Sequence, residues 1–195
     1  MKDTRNQILD AAKRVITQKG FHGSTMEDIA KAAGVAKGTS YLYFKSKIEL
    51  YLAVMEREFD YITSCFEEII KSRIPVLKKI EGIISFFIEY MKENRDFVFS
   101  LMYEPPLIKM NKDVIHKRYR NKIDNIRHKF IEVLEEGIRR GDIIKEDPEV
   151  LADVIFGAIV RPVIQFVIRK KTGDIDSLKF KIMNILTKGI VRKGG

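Results

Sequence analysis

Apolar residues recur along nearly the whole chain at intervals of three and four residues, the spacing typical of one buried helix face. No segment shows the strict alternation of apolar and polar residues that predicts a half-buried strand. We therefore predict an all-α protein of about nine helices.

Near the N-terminus, two short helices are predicted to flank a tight turn. Thr25 is a good N-cap, and Asp28 three residues later completes a capping box. Gly34 supplies the turn, because a residue without a Cβ adopts positive φ at little cost. A second helix, at about residues 37–44, follows at once. This is the helix-turn-helix pattern, whose second helix lies in the DNA major groove.

A long helix is predicted to cross the boundary between two domains. Ser46 is expected to cap it, and it runs unbroken from Lys47 to about Arg73. We place an N-terminal domain at residues 1–50 and a second domain at residues 51–195. The junction between them is then a helix and not a loop.

The last two predicted helices carry more apolar surface than one neighbour can cover. They span about residues 148–171 and 175–191, and apolar positions circle the first of them. One face can pack within its own domain, and the other must meet something else. We therefore expect a homodimer sealed by a four-helix bundle, with a larger monomeric core as the alternative.

The net charge and the cysteine count restrict which binding partners and which cellular compartment we expect. The net charge of +9 over 195 residues suits a polyanion, but charge does not choose between DNA, RNA and a membrane surface. No apolar run approaches the ~18 residues of a membrane span, and no signal peptide is visible. Cys65 is the single cysteine, which excludes an intrachain disulfide. We expect a cytoplasmic protein without a membrane partner.

The N-terminal segment resembles the DNA-binding domain of the TetR family of transcriptional regulators. The resemblance lies in KGFHGST followed by IAKAAGVAKGTSYLYFKSKIEL, over roughly residues 5–51. It implies a dimer that binds a DNA operator through the helix-turn-helix and pairs through its last two helices. It also implies that residues 51–195 form an effector-binding and dimerisation domain.

By this resemblance, Thr25 and Lys47 hold DNA phosphates at the two ends of the motif. Thr25 offers a hydroxyl and the exposed amides of a helix N-terminus, which attract anions. Lys47 lies in the first turn after Ser46, so we expect its side chain near free amides as well.

Five residues of the second helix are expected to read the operator. Lys37 can reach a guanine edge, Thr39 a base or thymine methyl, and Gly38 permits close approach. Tyr41 and Tyr43 match family positions that contact the backbone or base methyls. Packing within the domain is the alternative for Tyr41, and a solvated lysine is the alternative for Lys37.

Two positions depart from the family pattern. Ala36 stands where family members often have a Ser or Thr that caps the helix and donates to phosphate. Ser40 stands where an apolar residue is common, and we expect it to face DNA instead. Both departures leave the operator sequence open.

The second domain shows no motif of its own, but the resemblance implies a ligand cavity. Seven residues are expected to bind the effector: Phe66, Phe87, Tyr90, Met102, Tyr103, Arg161 and Gln165. For the aromatic residues, ordinary core packing is the alternative.

Arg161 lies beside Pro162 in the most apolar helix, with Gln165 one turn later on the same face. A buried arginine needs a partner. An anionic effector, a carboxylate such as Glu104, and solvent at a dimer seam all stay open.

These observations predict a ligand-responsive dimeric repressor, released from a palindromic operator by a small hydrophobic effector. The YLYFKSK and IFGAI segments resemble the acyl-CoA-responsive branch of the family, which suggests an acyl-CoA-like effector. The alternative is a DNA-bound structural or division-control protein without a small-molecule switch. No nucleophile, metal-ligand or phosphate-loop motif is present, so we expect no enzyme activity, cofactor or metal.

Overall fold

The computed structural model describes residues 3–103, 112–168 and 175–190, with side chains described for residues 3–100, 120–166 and 177–188. This part of the chain forms nine helices and contains no strand, which confirms the all-α prediction. The helices are α1 (Thr4–Gly23), α2 (Met26–Ala33), α3 (Lys37–Tyr43), α4 (Lys47–Lys71), α5 (Val76–Glu93), α6 (Arg95–Tyr103), α7 (Lys112–Arg140), α8 (Pro148–Ile168) and α9 (Ile175–Ile190).

The chain divides into two compact units by its backbone packing. The first consists of Met1–Tyr61 and Asn94–Tyr119, and the second of Ile62–Glu93 and Arg120–Gly195. Helix α4 begins in the first unit and ends in the second. These units do not test the functional domain boundary expected at residue 50, which stays a prediction.

The first unit has one apolar core, built mainly from α1, α2 and the start of α4. Helix α6 contributes to this core as well, because Phe97 is only 2% exposed within it. Burial of this surface is the main force that holds the unit together. Its largest fully buried side chains are Ile8, Leu9, Ile16, Ile29, Phe44, Leu50, Tyr51 and Phe97.

A polar cluster fastens α6 to the same unit. The ammonium of Lys13 donates to Glu58 Oε2 at 2.6 Å and to Asn94 Oδ1 at 2.7 Å. It also lies 5.3 Å from the ring centre of Phe97. Lys13 of α1 is thus bonded to α4 and to the residue that precedes α6.

Two glycines set the local chain direction. Gly20 has φ 73° and ψ 170° and interrupts α1, so that Phe21–Gly23 form a separate short turn. Gly34 has φ 69° and ψ 30°, the left-handed conformation predicted for the turn between α2 and α3. A side chain at either position would be strained by that φ.

The predicted capping box at the start of α2 is present. The Thr25 hydroxyl accepts from the Asp28 amide at 3.0 Å, and the Thr25 amide donates to Asp28 Oδ2 at 3.0 Å. Lys19 Nζ donates to the other carboxylate oxygen at 2.7 Å. The hydrogen bonds from Lys19 and then from Thr25 lower the pKa of Asp28 to about 2.

Helix α8 in the second unit has two different apolar faces. Leu151, Ile155, Ile159 and Val163 are buried in the unit, whereas Val150 and Val154 are more than half exposed. Helix α9 shows the same division, with Ile182 and Leu186 buried and Phe180 and Ile185 exposed. The surplus apolar surface expected from the sequence is therefore present on both helices.

The expectation that Arg161 is buried is wrong. Its side chain is exposed, on the same side of α8 as Val150 and Val154. The sequence was misleading because apolar residues surround α8, and only the packing shows which of them face the unit's core.

Gly137→Ala is expected to destabilise the second unit. The steric cost of the added methyl group should exceed the gain from the higher helix propensity of alanine by about 1 kcal/mol. A Cβ at this position in α7 would lie 3.0 Å from Val76 Cγ2 and 3.3 Å from Ile143 Cγ1. Both neighbours are buried and branched. Urea unfolding measures the change, with Gly38→Ala as a control because its added Cβ meets nothing within 4 Å. Equal or greater stability of Gly137→Ala would show that the neighbours can move aside.

Asp28→Asn is expected to lower stability at neutral pH and to flatten its dependence on acid. Because the folded pKa is depressed, the wild-type carboxylate stabilises the fold above its ordinary pKa of 3.8. That contribution is lost as the pH falls towards about 2. Unfolding followed by circular dichroism should show a smaller loss of stability for the variant across this range. Parallel curves for the two proteins would contradict this account.

Candidate nucleic-acid interface

The proposed reading helix, α3, starts without a side-chain cap, as the alanine at its N-cap implies. Ala36 provides only its carbonyl, which accepts from the Thr39 amide at 2.9 Å. At the other end, the Phe44 amide donates to the Ser40 carbonyl at 3.0 Å. The helix is therefore held mainly by its neighbours and not by its own termini.

One side of α3 is buried and the other is open. Ser40 is fully buried and Phe44 is 2% exposed, which fixes the helix against the core of the first unit. The expectation that Ser40 faces DNA is wrong, since its hydroxyl donates to the Lys37 carbonyl at 2.7 Å. A hydroxyl bonded in this way has its hydrogen bond satisfied although the residue is buried.

The open side contains the residues predicted to read bases. Lys37, Gly38, Tyr41 and Tyr43 are exposed, and Thr39 is half-buried. Neither Tyr41 nor Lys37 is turned inward, so Tyr41 is not confined to packing within the domain, while the exposed Lys37 fits both DNA contact and the alternative of a solvated lysine. Their contacts with bases stay predictions.

Lys37 is paired with an acidic residue of α2. Its ammonium lies 2.9 Å from Glu27 Oε2, and this hydrogen bond raises the pKa of Lys37. Both side chains are largely exposed, so the pair is open to solvent and to competition. Sequence reasoning missed Glu27, because its position beside Lys37 depends on how α2 and α3 cross.

Thr25 is exposed at the start of α2, as a phosphate contact requires. Its hydroxyl is already used within the capping box, because it donates to Asp28 Oδ2 at 2.8 Å. A phosphate at this end of the motif would meet a helix N-terminus whose first turn also carries Glu27 and Asp28.

Lys47 has partners that the sequence did not predict. Its ammonium donates to the carbonyls of Phe21 and Ser24, each at 2.6 Å. It also lies 4.4 Å from the ring centre of Phe21. The start of α4 is thereby bonded to the end of α1, and the phosphate role of Lys47 stays a prediction.

Leu42 belongs to this surface and was not among the predicted contacts. It is 86% exposed, between Tyr41 at 45% and Tyr43 at 42%. Its exposure follows from the burial of Ser40, two residues earlier on the helix, which the sequence did not predict.

The predicted effector residues with described side chains fall into two places. Phe66, Phe87 and Tyr90 are buried in the second unit, and the rings of Phe66 and Phe87 lie 6.5 Å apart. Phe86 joins them, stacked 6.2 Å from Tyr90. These aromatic residues form one cluster, which is equally compatible with core packing and with the wall of a ligand site.

Of the other four predicted effector residues, two lie on α8 and have described side chains. Gln165 is half-buried and Arg161 is exposed on α8. The side chains of Met102 and Tyr103 and the whole of Glu104 lie outside the described residues.

Two negative findings apply to the described parts of the chain. No three His, Cys, Asp or Glu side chains there come together as a metal site would require. None of the helices described there combines the length and apolar character that a bilayer span demands.

Two family profiles match this chain, one in its N-terminal part and one farther along the sequence. The family profile of bacterial regulatory proteins of the tetR family matches residues 8–54, which contain α2 and α3. A second profile, that of the tetracyclin repressor-like C-terminal domain, matches residues 74–163.

Similar proteins extend the match along the chain. A fatty acid metabolism regulator protein of Bacillus subtilis is 33% identical over 193 residues, covering 96% of this chain and 95% of that protein. The crystal structure of the transcriptional regulator FadR from Bacillus subtilis in complex with stearoyl-CoA is 28% identical, with a TM-score of 0.72. That alignment covers 94% of this chain and 98% of the other.

A more distant relative is the transcriptional repressor KstR2 of Mycobacterium tuberculosis. It is 24% identical over 137 residues, which cover 70% of this chain and 68% of that protein. Together with the matched profiles and the exposed reading helix, these similarities show that the chain belongs to the TetR family of transcriptional regulators.

Proposed function

We propose that this protein is a dimeric repressor that leaves a palindromic DNA operator when it binds a long-chain acyl-CoA. The observation that carries the DNA-binding part is the open face of α3, which is held by a buried Ser40 and Phe44 and presents Lys37, Gly38 and Tyr41 to solvent. A recognition helix needs this arrangement to enter the major groove.

The effector class is supported by the relatives and by the composition of the second unit. One relative with end-to-end similarity is a fatty acid metabolism regulator, and a structural relative is bound to stearoyl-CoA. The aromatic cluster of Phe66, Phe87 and Tyr90, which are buried, and Phe86, which is half-buried, offers the apolar side chains that an acyl chain would contact.

The dimer is supported by the exposed apolar faces of the last two helices. Val154, Phe180 and Ile185 are each more than half exposed in the single chain, an arrangement that favours a partner of like composition. Arg161 shares the exposed side of α8, which favours the dimer seam among the three environments considered for it. A dimer of this kind would present two reading helices to successive major grooves, roughly 34–36 Å apart.

The switch needs different ligand affinities in two conformations. A ligand moves such an equilibrium only by its difference in affinity for the two states. Helices α4 and α7 each have residues in both compact units, and of these α4 is the one that begins directly after the reading helix, so we propose that a ligand in the second unit acts on the first through α4.

The central experiment measures operator release by stearoyl-CoA. Duplexes selected by the protein from a random pool serve as the operator, and fluorescence anisotropy gives the affinity. Saturating stearoyl-CoA should weaken binding by about 5- to 150-fold, the usual range of allosteric coupling. Free coenzyme A, which lacks the acyl chain, is the matched control.

Two outcomes of that experiment would count against the proposal. Selection without any preferred sequence, or a monomer in sedimentation analysis, would remove its DNA-binding basis. Specific binding that no acyl-CoA changes would instead favour a DNA-bound structural protein without a switch.

Lys47→Ala is expected to weaken binding to all DNA sequences and to lower the salt slope by about 1, because the variant neutralises one phosphate fewer. Because Lys47 also bonds the carbonyls of Phe21 and Ser24, the variant should melt at a lower temperature. Lys71→Ala removes the same charge from an exposed site in the second unit and is the control. A lower melting temperature with an unchanged salt slope would assign Lys47 a structural role alone.

Glu27→Gln is expected to tighten binding to every duplex by about twofold to fivefold, the range of an exposed ion pair. The change releases the ammonium of Lys37 from its pairing at 2.9 Å and removes a negative charge beside the reading helix. Glu68→Gln, an exposed position in the second unit, makes the same change in net charge and should have little effect. Weaker binding by the Glu27 variant would mean that the carboxylate positions Lys37 for contact.

A further inference from the structure

Leu42 has the most exposed large apolar side chain in the part of the structure whose side chains are described, at 86%. Single exposed leucines are common on protein surfaces and need no special explanation. This one differs because it lies on the reading helix, the element that the proposed function places against DNA.

The orientation of Leu42 follows from the helix geometry. Successive residues of an α-helix turn by about 100°, so a residue two positions away points to nearly the opposite side. Ser40, two positions before Leu42 on α3, is fully buried, and Phe44, the extended residue that ends the helix, is buried as well. Leu42 therefore points directly away from the unit that carries α3.

The surface around Leu42 allows close approach. Gly38, four positions earlier, shares its face, and a Cβ built there meets nothing within 4 Å. Tyr41 and Tyr43 flank Leu42 and are each less than half exposed. The leucine is thus the most exposed of the three side chains and lies next to a position with no side chain.

The chemistry of the side chain restricts what it can recognise. Leucine neither donates nor accepts hydrogen bonds, so it cannot read the polar edge of a base. The major groove offers one apolar group, the C5-methyl of thymine. Burying a methyl group against an aliphatic side chain is favourable because both leave water.

We propose that Leu42 contacts the C5-methyl group of one thymine in each operator half-site and so helps to determine sequence specificity. This inference rests on the proposed function, since it requires α3 to occupy the major groove. It adds an apolar contact to the polar ones expected from Lys37 and Thr39.

Replacement of thymine by uracil in the selected operator tests the contact. Uracil lacks only the methyl group and keeps the same pairing edge, and each thymine is exchanged symmetrically in both half-sites. At one position, uracil should weaken wild-type binding by roughly fourfold per half-site, the value of one buried methyl or methylene group. Leu42→Ala should bind the thymine operator more weakly and should not distinguish thymine from uracil there.

Two controls separate this contact from general effects. Ile74→Ala shortens another exposed aliphatic residue, in the second unit, and should retain the full uracil penalty. Thermal unfolding of Leu42→Ala should match the wild type, because the side chain has few neighbours in the free protein.

The result that overturns the inference is an equal uracil penalty for wild type and Leu42→Ala at every thymine. A selected half-site without thymine would overturn it as well. Altered sedimentation of the DNA-free variant, with unchanged uracil penalties, would place Leu42 at a contact between protein copies. A wild-type protein that selects no sequence would instead refute the proposed function on which the inference rests.

Discussion

One ammonium group in the first compact unit joins the two ends of its reading motif. Lys47, the first residue of α4, bonds the carbonyls of Phe21 and Ser24 just before α2 begins. Hydrogen bonds to charged groups contribute about 1.5–3 kcal/mol each, more than neutral ones. Helices α2 and α3 lie in the chain between the two segments that this lysine joins. Their placement therefore depends on Lys47 as well as on the apolar core, whether or not the same side chain also contacts DNA.

At the proposed reading helix, positive charge that would attract DNA is partly balanced by a neighbouring carboxylate. The chain carries a net charge of +9, which favours any polyanion without regard to sequence. Glu27 pairs with Lys37 at the start of α3, so a cation that we propose meets the DNA groove is partly neutralised in the free protein. A paired positive charge contributes less to DNA binding that ignores sequence. Apolar contacts and shape then account for a larger share of the preference for one DNA sequence over another.

Local rules predicted the first unit well where the decisive interactions lie within a few residues. The capping box of Thr25 and Asp28 and the left-handed Gly34 both follow from neighbours in the sequence. The errors concern side chains whose surroundings are set by tertiary packing. Ser40 is buried because of how α3 crosses the core, and Lys47 reaches a carbonyl 26 residues away in the chain.

The second unit was less predictable for the same reason. The sequence indicated correctly that α8 has apolar residues on all sides, and it could not say which side its own unit would cover. Arg161 was therefore expected inside and lies outside. Aromatic residues such as Phe66 and Phe87 were recognised as a group, but a sequence does not distinguish a packed core from the wall of a cavity.

The attachment of α6 to the first unit affects how this protein can be divided. Phe97 fills part of the N-terminal core, and Asn94 completes the bonds of Lys13. A fragment that stops after Tyr61 would keep the whole sequence motif and lack both of these groups. It would expose an apolar opening beside α1 and leave a lysine with one fewer acceptor. The recognisable domain is thus shorter than the smallest piece that would preserve its interior, and excision at the motif's edge would yield a weakened folding unit.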